Sequence, residues 1–387
     1  MSANSVEDDD RLHVGIDCLV VADRPSGVER AVVGLVDGLA QTAPPDQRFS
    51  LLIAAGRESV LPTGESLASM PAPSWADGRA GRVFYEQTLA SARLRVEGVE
   101  VLHGPAYVLP HDWDGPSVVT IHDAITVCYP QWCQWHNVIH YGLVMTRSAR
   151  RASAVIVPSE FTKRELVEQV DVEQQRIRVA PLGVSEEFAP ADDRMIAQVR
   201  ERNGLPERYL LCVGNVEPRK NLVAVIEAFE RIAEDIPHAL VIAGKRGWKC
   251  GESCSAIECS PRAGRIHWLD WVAQEDLSAL YSGAELLIQW SLHEGFGLTP
   301  LEAMACGTPA VISDGGALPE VAGDAARVVP LQAGPEGLAE VLMALLEDEE
   351  ARAEMARRGT GHAAQFTWAA HARTVAEVYR EVAGAQG

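Results

Sequence analysis

Short apolar runs alternate with amphipathic stretches along most of the chain, and that alternation carries the first structural signal. In the first half the runs fall at 12–16, 49–54, 99–103, 117–122, 154–157 and 177–180, which predicts six strands. Stretches with helical periodicity separate them at 27–40, 82–93, 137–151 and 159–169. Parallel strands need long crossover connections, so strands alternating with helices predict one doubly wound parallel sheet. The pattern breaks at Pro181-Leu182-Gly183-Val184, stays polar through Asp193 and restarts at Tyr209. A second series follows at 209–213, 239–243, 266–269, 285–289, 309–313 and 326–329, with helices that include 221–234 and 301–306. The final stretch, 368–383, repeats Ala372, Val375, Val378 and Tyr379 at a spacing that gives a helix one buried face.

The predicted fold is therefore α/β: two Rossmann-like doubly wound domains facing across a cleft. Its divisions are an acidic tail at 1–10, a first domain at 11–190, a linker at 191–206, a second domain at 207–365 and a terminal helix within 366–387. A chain of 387 residues is too long for one ordinary core, and 47% hydrophobic with 23% charged residues suits globular domains. Open α/β sheets bind ligands at the carboxyl ends of their strands, so chemistry is expected where strand ends face the cleft.

Charge and cysteine usage narrow the function. A formal charge of −20 excludes nucleic acid as a partner, since a phosphate backbone demands a basic surface. No run reaches the roughly 18 apolar residues of a membrane span, and the acidic start is unlike a secretory signal, which predicts a cytoplasmic protein. One basic group, Arg147, Arg150 and Arg151 behind the apolar run 141–145, suits either a peripheral contact with the inner face of a membrane or an ordinary solvated helix face. The eight cysteines are scattered, as reduced thiols would be. Cys250, Cys254 and Cys259 with His267 are spaced like no usual zinc site, so they read as thiols on a helix beside the core, and no metal is expected.

A nicotinamide site is excluded by the first strand, which runs into Asp17-Cys18-Leu19 without a glycine-rich turn. Gly27, in the turn Pro25-Ser26-Gly27 before a helix, could let a phosphate approach the backbone or could simply form the turn. A stronger signal is Gly214-Asn215-Val216-Glu217-Pro218-Arg219-Lys220, a strand feeding a turn with two adjacent cations ahead of a helix. Cations there oppose the helix dipole, so Arg219 and Lys220 are better explained by a bound polyanion such as a diphosphate, to which Lys245 and Arg246 would add. The second signal is Glu294-Gly295-Phe296-Gly297-Leu298 followed by Glu302, two carboxylates eight positions apart across a glycine-rich loop. Thr299-x-x-Glu302 also has the spacing of a helix capping box, which would explain Glu302 but not Glu294. His122 closes an apolar strand and should face the cleft.

These segments resemble the donor-side motifs of glycosyltransferase family 4, retaining enzymes of GT-B fold. The resemblance extends through Thr120-Ile121-His122-Asp123, Val157-Pro158-Ser159-Glu160-Phe161-Thr162 and Phe366-Thr367-Trp368. Within the family, Glu217-Pro218-Arg219-Lys220-Asn221 and Leu318-Pro319-Glu320-Val321 look like mannosyltransferases of polysaccharide and O-antigen assembly. The resemblance implies a nucleotide-sugar donor, GDP-mannose or similar, and a glycan or lipid-linked acceptor bound by the first domain, with no cofactor. It implies that His122 and Glu294 act on the donor sugar, Glu302 holds the ribose diol, and Gly295, Phe296, Gly297 and Leu298 offer amides. Arg219 and Lys220 match the diphosphate region. Many members carry an arginine where this chain has Asn215, which leaves Arg219 as its substitute. The family's terminal helix crosses back to the first domain, and closure about 184–206 would bring His122 towards Glu294. Rival readings are another GT-B reaction, epimerisation or phosphorolysis, and a nucleotide-sugar-binding protein without turnover. Glutamine at either Glu294 or Glu302 should leave the melting temperature near that of the parent.

Overall fold

A computed structural model describes residues 10–22 and 27–385, apart from the side chains of four residues within 135–151. The acidic residues 1–9 and the turn Pro25-Ser26 lie outside the described residues. The first sheet holds β1 (Leu12–Asp17), β2 (Gln47–Ile53), β3 (Leu67–Pro71), β4 (Val101–Gly104), β5 (Ser117–Thr120), β6 (Ala154–Val157) and β7 (Ile177–Val179). They run parallel in the order β3-β2-β1-β4-β5-β6-β7. The second sheet holds β8 (Tyr209–Val213), β9 (Ala239–Ala243), β10 (Ile266–Leu269), β11 (Leu286–Gln289), β12 (Ala310–Ser313) and β13 (Arg327–Val329), in the order β10-β9-β8-β11-β12-β13. Both are doubly wound. The order reverses between β1 and β4 in one sheet and between β8 and β11 in the other, and such reversals open a crevice at the strands' carboxyl ends.

Three expectations about the first domain need correction. Its sheet has seven strands, because Leu67–Pro71 is an edge strand with only Leu67 and Met70 buried and a proline at its end, a pattern that reads as loop. The helix expected at 82–93 is two, Arg79–Thr88 and Ala90–Val96, broken at Leu89. β5 stops at Thr120, so His122 lies beyond the strand. In the second half the helix expected at 301–306 starts earlier and spans Leu298–Ala305.

Each sheet is packed on both faces, so its central strands are continuously buried instead of alternating. The terminal helix Trp368–Gly384 lies against helix Gly27–Thr42 and the first sheet, burying Ala372, Val375, Val378 and Tyr379. Close approach is possible because a side chain at Gly34 would run into the Trp368 ring and one at Gly38 into the Trp368 backbone.

Candidate active site

At the second reversal, β8 ends in a turn at Gly214, whose φ of +132° suits glycine and which Lys220 overlies. Pro218–Lys220 forms one 3-10 turn, and Asn221, left-handed at φ 53°, leads into helix Leu222–Ile232. The two cations thus sit ahead of the helix and point at a protein carboxylate. Arg219 Nη1 lies 2.5 Å from Glu294 Oε2, and Lys220 Nζ 2.8 Å from Glu294 Oε1. Gln289 Nε2 and Ser291 Oγ donate to the same Oε1 at 2.8 and 2.9 Å, and Arg219 Nε also reaches Glu217 at 3.2 Å. Burial alone would raise the Glu294 pKa, but Arg219 and Lys220 outweigh it and hold the carboxyl well below its usual range. Lys220, shut from water, is pushed below its ordinary value although Glu294 opposes the shift. The anion that both cations meet is Glu294.

Glu302 is not a cap. Helix Leu298–Ala305 follows Gly297 at φ +118° with no capping side chain, so Thr299 already lies in the first turn. The Glu302 carboxylate is almost wholly buried and accepts from Tyr281 Oη at 2.8 Å and from Arg30, which reaches it from helix Gly27–Thr42 of the first domain. Phe296 is core, packed edge-on against Phe366, and Leu298 is half-buried beside it. The Gly295 carbonyl accepts from Ser159 Oγ and Thr162 Oγ1 at 2.7 and 3.0 Å, and its Cα faces the His122 backbone carbonyl with no room for a side chain. His122 Nε2 is bound to the Pro105 carbonyl at 2.8 Å, and burial lowers the ring's pKa despite that bond, which keeps it neutral.

A cleft of about 770 Å³ separates the two sheets' carboxyl ends. Gly27, Arg57, Arg82, Tyr107, Asp123 and Tyr141 line it from the first domain, and Asn215, Glu217, Arg219 and Trp248 from the second. Of the residues singled out in the sequence, Gly27 and Arg219 reach its wall. Lys220, Glu294 and Glu302 stand behind it, and His122 and the loop 295–298 form the seam between domains. Sequence reading gave no role to Arg30, Tyr107 or Asp123, although Asp123 ends the segment 120–123 quoted for the resemblance. Arg30 left a signal as a lone cation on the apolar face of its helix.

Elsewhere, Arg246 stacks over Trp268 at 4.9 Å and pairs with Glu258 instead of joining the cationic group. Arg150 and Arg151 bind backbone carbonyls of their own domain, and Arg147 bonds to His111. Among the described residues no three His, Cys, Asp or Glu are placed to hold a metal, and no helix is long and apolar enough to cross a membrane.

Residues 25–188 match the family described as Glycosyltransferase Family 4, and residues 195–362 that described as Glycosyl transferases group 1. The O-antigen chain mannosyltransferase B of Escherichia coli is 31% identical over 271 residues, which cover 69% of this chain and 71% of that one. This chain belongs to glycosyltransferase family 4. A longer serotype-specific mannosyltransferase of the same species is 31% identical over 57% of this chain, a match spanning only 28% of its own length. HepE of Anabaena, solved in complex with UDP-glucose, superposes with a TM-score of 0.73 at 16% identity over 96% of this chain and all of that one, which shows the GT-B fold. This family 4 glycosyltransferase therefore carries its Arg219, Lys220 and Glu294 group at the reversal of the second GT-B sheet.

Proposed function

We propose that this glycosyltransferase moves a hexosyl group, mannosyl in the first instance, from a nucleoside diphosphate sugar to a saccharide or lipid-linked acceptor, with retention at the anomeric carbon. The observation that carries the reading is the buried exchange group at the reversal of the second sheet: Arg219 opens onto the cleft while holding Glu294. An arriving diphosphate gives Arg219 and Lys220 a second anion, so they stabilise the charge that grows on the leaving group. Glu294, relieved of part of its ion pairing, accepts from the donor's sugar hydroxyls. The ribose diol takes up Glu302 as Arg30 withdraws, and the acceptor hydroxyl attacks from the face the diphosphate leaves. The anomeric C–O bond to the diphosphate breaks as the hydroxyl proton passes to the departing phosphate oxygen. The mannosyl assignment draws on the resemblance to O-antigen enzymes, and the nucleotide-sugar donor on the HepE likeness as well.

A thermal-shift panel of GDP-, UDP-, ADP- and dTDP-sugars tests the donor. A ligand at 100 times its Kd stabilises by about 2.7 kcal/mol, enough to read as several degrees. One nucleotide should stand out, with GDP-mannose first. A flat panel would remove the donor assignment.

A further inference from the structure

The segment that carries Glu294 is tied to the two domains in alternation. The Leu292 amide donates to the Arg219 carbonyl at 2.7 Å, and the Glu294 carboxylate holds Arg219 and Lys220, all within the second domain. His293 and the Gly295 carbonyl turn the other way. The Gly295 carbonyl is held by Ser159 and Thr162, and the His293 ring, 2% exposed, is seated among first-domain groups. Its centroid lies 5.0 Å from that of Tyr129 and 5.4 Å from that of Phe161, and its Nε2 lies 2.9 Å from Glu165 Oε1. A carboxylate only accepts, so Nε2 carries the proton of that bond.

The partner residue points to a task beyond packing. Glu165 ends helix Glu160–Glu165 and is more than nine-tenths buried, and its Oε2 has no hydrogen bond among the described residues. The cations of its own helix turn elsewhere, Lys163 to Glu160 at 3.7 Å and Arg164 over the Phe161 ring. Burial and the Glu165 charge push the nearby Cys128 thiol up to about 12, so it brings no charge. A carboxylate buried for structure alone would be paired or saturated inside its own domain. Here the ion-pair partner among the described residues comes from the other domain, one position before Glu294. The same part of the first domain is gripped a second time. Tyr129 stacks on Trp132 at 4.5 Å, and the Trp132 and Gln131 carbonyls accept from Trp248 Nε1 and Lys249 Nζ of the second domain at 2.8 and 2.7 Å.

We propose that His293 is a positioning residue: seating its ring among Tyr129, Phe161 and Glu165 couples closure of the domains to the presentation of Glu294 to the donor sugar. Consecutive Cα atoms lie about 3.8 Å apart, so a shift at His293 is carried to Glu294. A misplacement near 1 Å costs about a hundredfold in rate. The diphosphate meets Arg219 and Lys220 instead, whose own domain holds them, so its binding does not depend on the seat. The inference rests on the glycosyl-transfer reading and adds the side chain that ties its first domain to the sugar-binding carboxylate.

The test uses the full chain and follows release of GDP from GDP-mannose, with methyl mannoside as acceptor and with water alone, or the same assay with the sugar nucleotide that the thermal-shift panel selects. His293→Leu and Glu165→Leu should each lower kcat about a hundredfold, while the KM of the donor and the Kd of the nucleoside diphosphate stay within threefold. Glu165→Leu breaks the contact from the first domain, so it decides the matter if His293→Leu fails to fold. The double variant should fall no further than either single one, since the two side chains act as one unit. His293→Gln, whose amide nitrogen can donate to Glu165 from about the place of Nε2, should stay within tenfold of the parent. The assignment is overturned if Glu165→Leu keeps parental kcat, if KM and Kd rise in step with the loss of kcat, if the losses multiply in the double variant, or if His293→Gln is as slow as His293→Leu. A parent that releases no nucleoside diphosphate from any sugar nucleotide of the panel would instead overturn the transfer reading on which the assignment rests.

Discussion

Glu294 receives four donors from two segments of the second domain, and this alters what its replacement should do. From sequence, glutamine at Glu294 keeps shape and should leave folding intact. In the structure, glutamine would leave Arg219 and Lys220 side by side without their shared counter-charge, and one of its amide hydrogens would face a donor. Breaking a buried pair by removing one partner costs about 3 kcal/mol or more. Glu294→Gln should therefore lower the urea midpoint as well as turnover. The pH dependence has a definite sign. The native Glu294 pKa lies below its unfolded value, so its stabilisation is complete above the ordinary carboxylate range and is lost as pH falls from there towards the native pKa. Acid unfolding of the parent should show that loss, and Glu294→Gln should show less of it. Equal midpoints for parent and variant at neutral pH would mean that the ion cluster adds nothing to the fold.

Two glycines on one helix have opposite fates from a third on another. Gly34 faces the Trp368 ring, and nothing among the described residues lies within 4 Å of the Cβ that Gly142 would carry in helix Trp135–Arg151. Alanine gains up to about 1 kcal/mol over glycine inside a helix, whereas forcing a methyl group into a packed contact costs about 1–3 kcal/mol. Gly142→Ala should raise the urea midpoint. Gly34→Ala, like Gly38→Ala, should lower it and speed proteolytic release of the terminal helix. A stabilised Gly34→Ala protein would show that the terminal helix docks loosely. At this scale most of the fold was legible, because buried parallel strands are short continuous apolar runs and twelve of the thirteen strands among the described residues announce themselves in that way. β3 did not, since an edge strand needs few apolar positions. The spacing of Thr299 and Glu302 misled for a different reason: a capping box presumes that the helix begins at Thr299, and the left-handed Gly297 begins it sooner. In the site, Glu294, Arg219 and Lys220 were legible as a motif because glycines and paired charges lie close in sequence. Arg30 shows only as a lone cation on an apolar helix face, and Tyr107, brought to the cleft wall by the fold, leaves no trace in local spacing.

The two domains meet along a polar seam. Glu320 of the second domain accepts the Glu160 and Phe161 amides of the first at 2.6 and 2.9 Å, His293 meets Glu165 at 2.9 Å, and Ser159 and Thr162 bind the Gly295 carbonyl. These are exchangeable hydrogen bonds and ion pairs, the kind of interface that opens and closes without unfolding either core. Gly295 packs directly against the first domain's backbone. Its φ is not positive, so alanine suits its own backbone, and what excludes a methyl group is the His122 carbonyl and, at 2.9 Å, the Asp123 Cβ across the seam. Gly295→Ala should therefore hold the domains apart and leave each one folded. Lys220, Glu294 and Glu302 all belong to the second domain, so nucleoside diphosphate affinity should change by no more than a few fold. Transfer, which needs the acceptor side aligned with the donor side, should fall by about a hundredfold, the loss typical of a misplacement near 1 Å. Small-angle scattering with bound nucleotide should report a larger radius of gyration than for the parent, and Gly264→Ala, where the added Cβ meets nothing within 4 Å, should match the parent in both measurements. Parental transfer by Gly295→Ala would mean that the closed seam is not the reacting arrangement of the domains.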